Sequence, residues 1–123
     1  MEKILNLEKI AHICYDANKA LAEATDDPLT FMNWEDLSQP TINEWISGVQ
    51  YYLDNGDVDP EKYHTAWMRQ MQRESWVYGE EFNEEKKTHP NIVPYGVLNS
   101  REKIKPMLFR SIVKSMSQFL PDL

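Results

Sequence analysis

Apolar residues recur at spacings of three and four through the first stretch of the chain: Ile4, Leu7, Ile10, Ala11, Cys14, Ala17 and Leu21. That spacing puts them on one stripe of a helix and predicts a helix over residues 4–24. Pro28 marks its stop, because proline cannot continue a helix and disfavours helical geometry at Asp27. Phe31, Trp34 and Leu37 follow in a polar connector, as anchors that tie it to the core. A second helix is predicted over residues 41–54, after Pro40, with Ile42, Trp45, Ile46, Val49 and Leu53 inward and Asn55-Gly56 as its stop. The third opens with Asp59 as cap, Pro60 in its first position and Glu61 complementing the dipole. It runs to about Ser75 through Tyr63, Trp67, Gln70 and Met71. The last covers residues 100–120 and turns Leu108, Phe109, Ile112, Val113, Met116 and Leu120 inward. Its start is read at Ser100, although Lys103 stands where a capping box has an acid, and Pro106 is read as the start of a new helical segment.

Between the last two helices the pattern breaks. The stretch WVYGEEFNEEKKTHPNIVPY, from Trp76 to Tyr95, keeps neither a period of two nor one of 3.6. It is nevertheless too aromatic for a disordered linker. No hairpin signal, repeat or low-complexity tract occurs. The expected fold is mostly α: a compact single domain over residues 1–123, with about four helices and a long ordered aromatic and proline-rich segment between the last two.

A chain of 123 residues normally forms one core. The one cysteine, Cys14, excludes an intrachain disulfide and a cysteine-only metal cluster, and its place on the apolar stripe reads as a small core residue rather than a nucleophile. The three histidines show no metal-ligand spacing. Acidic residues interrupt the apolar positions at the N-terminus, so it is not a signal peptide, and no apolar run approaches membrane-spanning length. A cytoplasmic protein with no membrane partner is expected.

Charge changes the picture more. The net charge is −7, and residues 1–60 hold three lysines against twelve acids, a balance of −9. Residues 61–123 hold ten basic residues against eight acids, a balance of +2. The acidic total argues against a nucleic-acid polymer as partner, while a small anionic ligand remains compatible with the second half. The pairs Asp26-Asp27, Glu80-Glu81 and Glu84-Glu85 are adjacent in sequence, so their side chains diverge in regular structure and read as solvated surface. No phosphate loop, nucleophile elbow, zincin helix or dinucleotide fingerprint occurs, so the chain does not read as an enzyme, and no cofactor is implied.

One constellation remains. His64 and Trp67 share a helix face, as do Arg69 and Arg73. Trp76, Tyr78 and Gly79 form an exit turn, and Lys87, His89 and Pro90 precede Val93, Pro94, Tyr95 and Leu98. These blocks resemble the RyR domain, the repeat of ryanodine receptors that also occurs as small stand-alone prokaryotic or phage proteins. The resemblance extends weakly upstream through IAHICYDANKAL and SGVQYYL and downstream through LFRSIV. It implies a small helical unit in which Trp76, Gly79, His89, Pro90, Pro94 and Tyr95 hold the irregular segment across the helices.

For function, the resemblance implies a groove between paired repeats in which a nucleotide base stacks on the tryptophan of His-x-x-Trp. A single repeat would need a homodimer to build that groove. The implied ligand contacts are Trp67, His64 and Tyr78, with Arg69, Arg73, Lys86 and Lys87 as cations for phosphates. The implied activity is noncatalytic binding of a nucleotide-derived ligand, as a sensor or a sequestering protein. The residues alone leave two other readings open: Trp67 as a core residue of an amphipathic helix, and the aromatic segment as a surface that docks a protein. Three positions depart from the family pattern: Met71 where a basic residue is frequent, Ser75 where glycine precedes the tryptophan, and Asn83 in place of aspartate.

Overall fold

The N-terminal stripe becomes α1, Leu7–Ala24, in a computed structural model that describes residues 4–27, 31–56 and 58–121. Pro28, read as the stop of this helix, lies outside those residues. The helix begins later than its apolar pattern because the Asn6 side chain accepts the Lys9 N–H at 2.9 Å, and this cap leaves Ile4 outside and exposed. The second helix, α2, spans Gln39–Asn55 and so starts earlier than expected. Ser38 caps it, and Pro40 sits within its first turn, where a missing N–H breaks no helical bond. Gly56 ends it with φ of 65°, a positive value that glycine adopts freely.

In α3, Pro60–Arg73, Asp59 accepts the Lys62 N–H at 2.9 Å, as its position implied. The final helix, α4, is continuous over Ser100–Ser117 with Pro106 inside it, so the proline does not begin a new segment. The cap lies one residue earlier than Ser100: Asn99 accepts the Glu102 N–H at 2.9 Å, which puts the acid of a capping pair at the third helical position. The irregular segment contributes β1, Val77–Tyr78, and β2, Thr88–His89, which pair in parallel, with two short 3₁₀ turns at Trp34–Asp36 and Tyr95–Val97 elsewhere. The fold is mostly α-helical.

The chain divides into two compact units, one of Met1–Asp57 with Leu108–Leu123 and one of Val58–Met107. In the first, α1 buries Ile10, Ala11, Cys14, Tyr15 and Ala22, α2 adds Val49 and Tyr52, and α4 adds Phe109 and Val113. An aromatic chain links them: Tyr15 meets Trp45 edge-on at 5.1 Å, and Phe109 lies 5.6 Å from Trp45 and 5.5 Å from Tyr52. The connector is anchored as its aromatics suggested, with Trp34 stacked on His12 at 4.8 Å and the Tyr15 hydroxyl donating to the Met32 carbonyl at 2.6 Å. Cys14 is fully buried, and burial pushes its thiol up to about 12, so it packs as a neutral group. Among the described residues no helix is long and apolar enough to cross a membrane.

Candidate functional site

The second unit gathers the residues of the sequence constellation. On α3, His64 and Met71 are buried and Trp67 is half-buried, which fixes one side of the helix inward. The His64 Nε2–H donates to the Val93 carbonyl at 2.7 Å, so the histidine ties α3 to the irregular segment. Its ring lies 5.4 Å from Trp67 and 6.0 Å from Tyr95. Trp67 also meets His89 edge-on at 5.1 Å. Histidine 89 also faces Phe82 at 5.5 Å and Trp76 at 6.4 Å, and Trp76 stacks on Phe82 at 5.8 Å. The result is one aromatic cluster centred on His89.

Burial lowers the pKa of His89 to about 4, helped by the positive Lys105 and by His64. Its Nδ1 accepts the Asn91 N–H at 3.0 Å, which assigns the ring proton to Nε2 in the neutral form. The Asn91 amide in turn donates to Glu102 at 2.8 Å, and the buried Glu102 carboxylate holds Lys105 at 2.8 Å. Lys103 lies over the Tyr95 ring, 5.7 Å from its centroid. Pro90 is half-buried beside His89, while the Pro94 carbonyl accepts the Val97 N–H at 3.0 Å to close the 3₁₀ turn of Tyr95.

The turn between β1 and β2 is built from short-range bonds. Asn83 and Thr88 exchange backbone bonds at 3.0 Å, and the Asn83 side chain accepts the Lys86 N–H at 2.9 Å. An asparagine oxygen therefore does what an aspartate would do there. A Cβ at Gly79 would lie 2.6 Å from Thr88 Cβ, so glycine is needed for the close approach of the two strands. Ser75 has φ of 72°, which explains why glycine is favoured before Trp76.

The cations expected to serve phosphates are not grouped with the aromatics. At about 100° per residue, Arg69 and Arg73 point about 200° and 240° round α3 from Trp67. Both are exposed, and Arg73 donates to the Gln70 side chain at 2.8 Å. Lys87 donates to the Glu74 carbonyl at 2.8 Å, at the negative end of the α3 dipole, and so stabilises the end of that helix. Lys86 and Tyr78 are exposed.

Sequence reasoning passed over Phe82, Lys103 and the Asn91–Glu102–Lys105 network. A lone aromatic inside GEEFNEE was the available signal for Phe82. The network had none, because its members meet only when the segment closes on α4. A sequence model described as RyR domain matches residues 57–119. No curated protein matches the chain.

Proposed function

The chain belongs to the RyR domain family, and from that premise we propose that it is a noncatalytic binding module for a small, nucleotide-derived ligand. Trp67 carries the reading. Its indole is half-buried and meets the rings of both His64 and His89, contacts that support an orientation already set before any ligand arrives. A base needs such a flat, rigid partner, and stacking on an aromatic is worth about 1–3 kcal/mol per base. Within one chain Arg69 and Arg73 lie round α3 from Trp67. The arginines become available to the same ligand in a homodimer, where the second copy presents its own α3. The concrete form of this function is sensing or sequestration of a cyclic or ADP-ribose-type signal in the cytoplasm, such as a phage protein would use against a nucleotide-based defence.

Thermal unfolding against mononucleotides, cyclic oligonucleotides and ADP-ribose derivatives tests this reading. A ligand at a hundred times its dissociation constant adds about 2.7 kcal/mol of stability. The shift should appear for one ligand class and vanish in Trp67→Ala with the variant still folded. No shift across the panel would refute the proposal.

A second reading is an interaction module that docks a protein. What favours it is the exposure of three large apolar side chains of the aromatic segment, Val77, Tyr78 and Phe82, at 56 %, 53 % and 49 %.

A further inference from the structure

The end of α2 carries a reactive pair. Asn55 is the last residue of the helix and Gly56 is its C-terminal cap, and both are exposed. Of the eight asparagines in the chain, Asn55 is the one followed by glycine, and the other seven precede a residue with a side chain. A glycine amide has no Cβ beside it to obstruct a reaction at nitrogen. A Cβ built at Gly56 would meet nothing within 4 Å, so the space on that side is open as well.

Two hydrogen bonds hold the pair apart from reaction. The Asn55 side-chain amide donates to the Tyr51 carbonyl at 2.8 Å, and the Gly56 N–H donates to the Tyr52 carbonyl at 3.0 Å. Helical backbone at Asn55 keeps the Gly56 nitrogen away from the Asn55 Cγ, because a five-membered ring closes on that atom only when the backbone there is extended. Both bonds belong to the last turn of α2, whose Asp54, Asn55 and Gly56 are all exposed. Such terminal turns open without unfolding of the core, and this opening frees both groups at once.

We infer that Asn55-Gly56 is a site of spontaneous deamidation, gated by fraying of the last turn of α2. A base from solvent takes the Gly56 amide proton, and the nitrogen attacks the Asn55 Cγ. The N–Cγ bond forms, the Cγ–Nδ2 bond breaks, and ammonia leaves with a proton from water to give a succinimide. Water then opens the ring at either carbonyl. Cleavage of the N–Cγ bond leaves aspartate, and cleavage between that nitrogen and the main-chain carbonyl carbon leaves isoaspartate. No oxidant or reductant takes part. Either product puts a carboxylate at the negative end of the α2 dipole, next in sequence to Asp54. Isoaspartate also inserts a methylene into the main chain and shifts the Gly56 N–H away from the Tyr52 carbonyl. The reaction therefore loosens the helix end just before the chain enters the second compact unit at Val58.

The test incubates the whole chain in mildly alkaline buffer, folded and in urea. Its peptides are then mapped by mass spectrometry, with an isoaspartate-specific methyltransferase assay beside it. Asn55→Gln serves as the control, because this exposed position keeps an amide whose longer side chain cannot close the five-membered ring. Isoaspartate and aspartate should accumulate at position 55 faster than at any of the other seven asparagines, and Asn55→Gln should lose that signal. Two net hydrogen bonds should slow the folded chain about thirtyfold relative to the unfolded one. Aspartate at position 55 without isoaspartate would mean direct hydrolysis and would overturn the cyclisation. A folded rate more than about a thousandfold below the unfolded one would tie the reaction to global unfolding and overturn the fraying gate. Equal rates at position 55 and the other asparagines, or a signal that persists in Asn55→Gln, would overturn the site.

Discussion

Gly79→Ala isolates the closest backbone approach in the second unit. The added Cβ would sit 2.6 Å from Thr88 Cβ, 3.0 Å from its Cγ2 and 3.2 Å from its Oγ1. Carbon atoms in contact prefer about 3.5–4.0 Å, so β1 and β2 would have to separate by about 1 Å. The Gly79 N–H reaches the His89 carbonyl at 3.4 Å, already long, and that bond would be lost. Overpacking of this kind costs about 1–3 kcal/mol, and one weakened neutral bond adds about 1 kcal/mol or less, so a loss of about 2 kcal/mol is expected. For a chain of this size the midpoint of thermal unfolding, followed by circular dichroism, should fall by about 6–10 °C. The geometry also makes a sharper statement. Because the contact is with Cβ, Thr88→Ala placed on Gly79→Ala should restore little, whereas Thr88→Gly should restore most of what the clash removed. A Gly79→Ala protein within about 0.5 kcal/mol of wild type would refute the close approach. Equal rescue by alanine and glycine at position 88 would show that the methyl and hydroxyl, not Cβ, make the contact.

Ser75→Gly should raise stability in urea by up to about 1 kcal/mol, since it relieves a left-handed residue at some cost in chain entropy. A destabilised variant would show that the serine side chain makes a compensating bond. His89 has a folded pKa of about 4 against an ordinary value of 6.5, so between those values the unfolded chain binds the proton and the folded chain does not. Its contribution is complete above pH 6.5 and is lost as pH falls toward about 4, up to about 3 kcal/mol in all, and the pH dependence of wild type minus His89→Gln should show that slope. Cys14 should resist thiol reagents in the folded protein and react on denaturation, because its fully buried thiol is pushed up to about 12; rapid labelling under native conditions would contradict this burial.

The sequence by itself determined the four helices and the residues that bound α3 at its start and α2 at its end, because those depend on neighbours a few residues away. Asp59-Pro60 and Asn55-Gly56 carry their own capping chemistry, and the stripes of α1 and α4 repeat with the helical period whatever they pack against. It also identified the aromatic segment as ordered and His64, Trp67, His89 and Tyr95 as companions, through a resemblance that spans several blocks. Local rules misplaced the cap of α4 by one residue and divided that helix at Pro106. Both errors arose where serine follows asparagine, or where a proline inside the helix is tolerated rather than decisive. Only the tertiary structure decided how the charges are used. Arg69 and Arg73 fall on the solvent side of α3, and Lys87 stabilises the end of that helix. Glu102, meanwhile, is buried between Asn91 and Lys105. Such choices depend on which chain segments close on one another, and no periodicity encodes the partner of a long, flexible side chain. The need for glycine at position 79 has the same origin: nothing in its own φ demands it, and the constraint comes from Thr88, nine residues away, once the two strands meet.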